Sequence, residues 1–155
     1  MKKVIFVCMM LLASVQLFAQ SWKTTEFKAD ELKGTQAYTA YIYNDEKGNS
    51  FIYWSNTEKR IRIINKNGIF NADYNCFFWA TIGYYNQEGK LILKKQIGFN
   101  TINDGYIIAE HSSKEGRNII NYIRKEKGYI RILAPEYKSI NDWEIKIPCI
   151  NNDKQ

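Results

Sequence analysis

Short apolar runs alternate with polar turns over most of this chain. Gln36 to Tyr43, Ser50 to Trp54, Arg60 to Ile64, Lys90 to Ile97, Tyr106 to Ala109 and Trp143 to Ile147 are rich in isoleucine and aromatic residues, several in the strict alternation of a half-buried strand. Tyr74 to Tyr85 is apolar on both sides, with Tyr74, Cys76, Phe78, Ala80 and Ile82 on one and Phe77 and Trp79 on the other, which predicts a core strand covered on both faces. Asp45-Glu46-Lys47-Gly48, Asn65-Lys66-Asn67-Gly68 and Asn86-Gln87-Glu88-Gly89 share one spacing, that of a type I turn whose glycine closes a hairpin with a small bulge. The residues between them do not resemble one another, so this is a rhythm of hairpins and not a repeat. Ahead of them, Ser21 to Leu32 reads as an irregular lead-in or a short turn of helix near Ala29 to Lys33 ended by Gly34.

One stretch breaks the alternation. From Ser112 to Leu133 the apolar residues Gly116, Ile119, Ile120 and Ile123 recur at helical spacing, while Lys114, Arg117, Asn118, Asn121, Arg124 and Lys125 occupy the other face. Ser112 with Glu115 three residues on has the spacing of a capping box, and Gly128 stands where a left-handed residue ends a helix. Tyr129 to Leu133 then returns to period two and is closed by Pro135. A helix at about 113–127 therefore runs directly into a strand. The pattern as a whole predicts a mainly β protein, an antiparallel β-sandwich or a partly open barrel of eight or nine strands, with this one α-helix packed on it.

Composition changes the picture at the N-terminus. Lys2 and Lys3, the apolar run Val4 to Leu12 and the small residue Ala19 after Leu17 and Phe18 have the form of a cleaved signal peptide over residues 1–19. The run is too short for a membrane span, and Cys8 lies inside it, not at the lipoprotein position. The remainder is read as a single β-rich domain, 20–149, with a flexible polar tail, 150–155. It is expected to be exported, periplasmic or extracellular, with no membrane span in the mature chain. In such a compartment the two remaining cysteines, Cys76 and Cys149, make a possible disulfide. The net charge of +6 falls when Lys2 and Lys3 leave, and both signs are interspersed, so no nucleic-acid partner is expected.

The search for chemistry removes more than it adds. His111 is the sole histidine, and Cys76 and Cys149 have no zinc-ligand spacing, so no metal is expected. Asn71, Asp73 and Asn75 imitate the start of a calcium loop, but Cys76 replaces its glycine and Ile82 its closing glutamate. His111 adjoins Ser112 and Ser113 without the G-x-S-x-G elbow of a hydrolase, and sequence neighbours rarely meet in triad geometry. Asp45, Glu46, Asp104, Glu110 and Glu115 sit where turns and helix starts ordinarily place acids. No catalytic constellation and no cofactor are expected.

Aromatic content is the unusual feature, with 11 Tyr, 8 Phe and 4 Trp. Tyr41, Tyr43, Tyr53 and Trp54 on the first hairpin, and Tyr84 and Tyr85 at a strand end, are candidate ligand-binding residues, because such rings offer a flat apolar face with a polar rim. Arg117, Arg124 and Arg131 offer a basic surface. The expectation is an exported non-enzymatic binding protein whose partner is an unknown protein or glycan. Its rivals are a carbohydrate-binding module or glycan-assembly subunit, and a small secreted hydrolase or hydrolase inhibitor with Asn67 to Asn75 or Asn100 to Gly105 as its projecting loop.

Overall fold

The computed structural model describes residues 22–153 apart from Tyr74 and 103–105. The expected leader, Tyr74 at the start of the expected core strand, and Asp104 with the end of the loop Asn100 to Gly105 lie outside the described residues.

Among the described residues, nine strands form one antiparallel sheet, which is not closed into a barrel. They are β1 (Trp22–Phe27), β2 (Tyr38–Asn44), β3 (Ser50–Trp54), β4 (Arg60–Ile64), β5 (Phe77–Tyr85), β6 (Leu91–Thr101), β7 (Ile108–Ser112), β8 (Tyr129–Ala134) and β9 (Trp143–Pro148). A helix, α1 (Lys114–Lys125), joins β7 to β8. The spatial order is β1-β2-β3-β4-β7-β6-β5-β8-β9. Alternate residues of neighbouring strands enter one buried cluster, for example Phe51 and Tyr53, Ile61 and Ile63, Phe78 and Ala80, Ile130 and Ile132, and Ile145 and Ile147. A single sheet can gather these residues only by curling round them. The curl brings the two end strands together: the Trp22 indole donates to the Pro148 carbonyl at 2.9 Å, so a side chain spans the gap that no ladder closes.

Two of the three expected hairpin turns form. Gly48 and Gly89 have φ of 82° and 78°, and their amides donate to Asp45 and Asn86. The third does not close a hairpin, because β4 pairs with β7 and the chain after Asn65 makes a long loop instead. There the Asn65 side chain accepts from the Gly68 amide at 3.0 Å and donates to Glu136 at 2.8 Å. Trp22–Phe27 of the expected lead-in form the strand β1, not irregular chain, while Glu31 to Gly34 make a turn; residues 150–153, read as tail, form a 3-10 turn in which Asn151 donates to the Arg124 carbonyl.

The core strand is shorter and more one-sided than its composition implied. Cys76 has φ of 59° in a turn held by the Asp73 carboxylate, which accepts from the Asn75 and Phe77 amides, so β5 starts only at Phe77. Phe78, Ala80, Ile82 and Tyr84 are buried, but Trp79 on the other face is 59% exposed, because no second layer covers the convex side. The disulfide is also corrected: Cys76 and Cys149 are free thiols. Cys76 precedes the first residue of β5, whereas Cys149 bonds to Gly128, next to the Tyr129 that pairs with Tyr85 at the far end. The strand between them is nine residues long, roughly 30 Å at about 3.3 Å per residue, far beyond disulfide reach.

The helix packs as its pattern required, with Gly116, Ile119, Ile120 and Ile123 buried. Each isoleucine contributes about 1.5–3 kcal/mol of apolar burial. Gly116 is there for space: a Cβ would collide with the Lys59 carbonyl oxygen. The cap is Ser113, one residue later than expected, because Ser112 is still a strand residue paired with Arg60. Ser113 Oγ accepts from the Glu115 amide at 3.1 Å.

Candidate functional site

On one flank of α1, the end of β3 and the β3–β4 connection frame a cleft of about 260 Å³. Tyr41 and Tyr53 supply its aromatic wall, stacked at 4.7 Å with an interplanar angle of 3°. Trp54 adds a third ring, overlaid by the guanidinium groups of Arg60 at 4.6 Å and Arg62 at 5.0 Å. The helix contributes Arg117, Ile120, Asn121 and Arg124. Ser55, Glu58 and Arg117 also line a second, more open hollow with Thr57, Lys59, Arg60 and Ser112, so two adjacent cavities share one basic border and are treated together as one depression.

Three buried side-chain atoms on these walls have no hydrogen-bond partner: Tyr53 Oη, Thr57 Oγ1 and Arg60 Nε. Tyr53 is only 1% exposed. An unpaired buried polar group costs about 1–3 kcal/mol, so three on one depression is an unusual concentration. Burial pushes the Tyr53 phenol above its ordinary range, with Tyr41 adding to the shift and Arg124 opposing it, so the hydroxyl stays protonated. Arg117 meets Glu58 at 3.8 Å with both side chains exposed, a contact worth less than about 1 kcal/mol that leaves the guanidinium available. The depression is therefore lined by three guanidinium groups, those of Arg60, Arg117 and Arg124, beside an aromatic wall.

The six aromatic candidates are not one platform. Tyr41, Tyr53 and Trp54 come together here. Tyr43 is buried against Trp22 at 5.6 Å and borders a different hollow with Asp45, Lys47, Tyr129, Glu144 and Lys146. That hollow is larger but mixed in charge, and two of its charges are engaged: Glu144 with Arg131 at 2.7 Å and Lys146 over Tyr129 at 4.0 Å. Tyr84 is buried against Tyr122, and Tyr85 stacks on Tyr129 at 4.7 Å on the opposite flank of the helix. Of the three arginines, Arg117 and Arg124 reach the cleft, whereas Arg131 is held by Glu144 and Tyr85. The β3–β4 connection carries no turn motif or periodicity, so Thr57 had no signal in the sequence, and Arg60 was legible only as the first residue of a strand.

His111 and Ser113 do meet, against the expectation for sequence neighbours. His111 Nδ1 lies 2.6 Å from the Gly98 carbonyl, which only accepts, so Nδ1 carries a proton, and Nε2 lies 2.7 Å from Ser113 Oγ. Ser113 Oγ also accepts from Glu115, and neither residue lines the cleft. The pair ties the end of β7 to β6 and fixes the helix start.

Among the described residues, no helix is long and apolar enough to cross a membrane. No protein-family model, curated protein or solved structure matches this chain.

Proposed function

We propose that the chain is an exported, non-enzymatic binding protein whose cleft between Tyr53 and Arg124 holds an anionic, oxygen-bearing group of an envelope component or partner protein. The observation that carries this reading is the convergence of Arg117 and Arg124 with the unpartnered Tyr53 hydroxyl, Thr57 hydroxyl and Arg60 Nε–H on one depression. A carboxylate or phosphate supplies acceptors for the exposed Arg117 and Arg124 guanidinium groups, and charge-assisted bonds of this type are about twice as strong as neutral ones. The stacked tyrosines shield the contact from water, which strengthens it further.

A carbohydrate platform needs coplanar exposed rings, and the burial of Tyr43, Tyr53 and Tyr84 weighs against it. Hydrolysis would call on His111 and Ser113, whose place away from the cleft supports a positioning role instead.

The test is a titration of the mature chain with inorganic phosphate, a glutamate-rich peptide and oligogalacturonate, followed through the Trp54 indole and arginine side-chain NMR signals. Saturable shifts with at least one anion, lost in Arg124→Glu, are expected. Absence of shifts with all three, or shifts unaltered by Arg124→Glu, would overturn the proposal.

A further inference from the structure

The other flank of the helix has a different character. Strand β6 is paired along its length with β5, but on its second side only Asn100 and Thr101 pair with β7. The direction of its backbone groups follows from two bonds. The Ile102 amide donates to Ile108 on the β7 side, and the Thr101 amide donates to Cys76 on the β5 side. Antiparallel alternation then turns the N–H and C=O of Asn100, Gly98, Gln96 and Lys94 away from β5. The Gly98 carbonyl is taken by His111. Beyond it, no strand among the described residues pairs with Gln96 or Lys94, because the chain that would have continued β7 becomes α1 at Lys114.

Native sheets seldom leave such an edge bare beside apolar side chains. Here Leu91, Ile92 and Leu93 are consecutive and 44%, 59% and 43% exposed. Ile92 and Leu93 form, with Tyr84, Tyr122, Asn118 and Lys95, a mainly apolar groove of about 230 Å³ between the strand and the helix. Lys95 is engaged with Glu115 at 2.9 Å; Lys90 and Lys94 are exposed and make no ion pair among the described residues.

We propose that the β6 edge from Leu91 to Ile97 is a strand-addition site for an extended segment of a partner protein that alternates aliphatic and acidic side chains. Main-chain bonds to Gln96 and Lys94 supply affinity, the groove takes the aliphatic side chains, and Lys90 and Lys94 select acidic ones. Charge complementarity chooses the occupant. In a second copy paired antiparallel about Lys94, that lysine would oppose its own symmetry mate and Lys95 would oppose Leu93, a repulsive register. The site is separate from the arginine cleft and does not depend on what that cleft binds.

The probe is a synthetic seven-residue peptide alternating valine and glutamate, with a valine–lysine peptide as control, titrated into the mature chain. Saturating the acidic peptide should slow hydrogen exchange at the Gln96 and Lys94 amides at least tenfold, and the lysine peptide should not. Lys94→Pro removes an outward-facing amide while leaving the β5 ladder intact, and should weaken binding at least tenfold. Lys94→Glu, which carries no backbone penalty, should weaken it as well. Equal binding of both peptides, no protection at Gln96 and Lys94, binding indifferent to both Lys94 variants, or self-association through this edge in sedimentation would each overturn the proposal.

Discussion

The two flanks of α1 share one helix and one core yet offer opposite kinds of surface. Toward β3 and β4, arginines and unpartnered buried donors surround an aromatic wall. Toward β5 and β6, the wall is aliphatic and the unpaired groups belong to the backbone. The difference teaches that one amphipathic helix in the open end of a curled sheet can create two recognition surfaces. Its buried stripe is spent on the core, and each of its margins meets a strand end of different composition. Side-chain donors suit a compact anion, and a backbone edge suits an extended chain.

The largest expected effect removes the shared support. Gly116→Leu places a side chain against the Lys59 carbonyl and should destabilise the fold by about 3 kcal/mol or more, read as a fall in melting temperature, with both flanks lost together. An unchanged melting temperature would mean that α1 is not docked through this face. Next come changes that separate core from surface on the groove side. Ile123→Ala should cost about 2–4 kcal/mol in a denaturant titration. Leu93→Ser, on the groove surface, should cost less than about 0.5 kcal/mol.

The response to pH sharpens the comparison. Burial pushes the Cys149 thiol and the Tyr84 phenol up to about 12 each, and both lie by the groove flank, where Cys149 Sγ meets the Tyr122 carbonyl. Folding therefore favours their protonated forms. The contribution is complete below the unfolded values, near pH 8.5 for cysteine and 10 for tyrosine, and is lost as pH rises toward the folded ones. Stability followed by circular dichroism should begin to fall above about pH 8.5, and Cys149→Ala should delay that onset toward the tyrosine range. On the acid side, hydrogen bonds from Lys95 and Asn118 hold Glu115 below the usual carboxylate range, so this contribution is present above about pH 4.3 and lost on acidification.

The smallest effect is the most diagnostic of the cleft. Tyr53→Phe deletes a buried hydroxyl that has no partner, so stability should hold or rise by up to about 1 kcal/mol while anion binding weakens. A clear loss of stability would show that the hydroxyl is satisfied within the fold.

Much of the architecture was legible because its causes are local. Strands β3 and β4 fall on the runs Ser50 to Trp54 and Arg60 to Ile64, and the helical stripe of Gly116, Ile119, Ile120 and Ile123 is the buried one. Alternation and 3.6-residue spacing are properties of short windows. What failed was decided by partners distant in sequence: the exposed face of β5 at Trp79, the turn at Gly68 that closes no hairpin, and the cap at Ser113, displaced because β4 keeps Ser112 in the ladder. The candidate site was half visible. Tyr41, Tyr53, Trp54, Arg117 and Arg124 were singled out, but nothing joined the aromatics to the arginines or separated Tyr43, Tyr84, Tyr85 and Arg131 from them.

The sequence by itself determined that this chain would be a mainly β protein with one docked helix, because periodicity states which side of each element must leave water. Only the tertiary structure decided that the strands form one curled sheet whose ends meet at Trp22 and Pro148, that Cys76 and Cys149 lie at opposite ends of β5, and that β6 keeps an open edge. These are outcomes of strand order. Residues far apart in the chain compete for the same neighbours, and no local pattern records which of them wins.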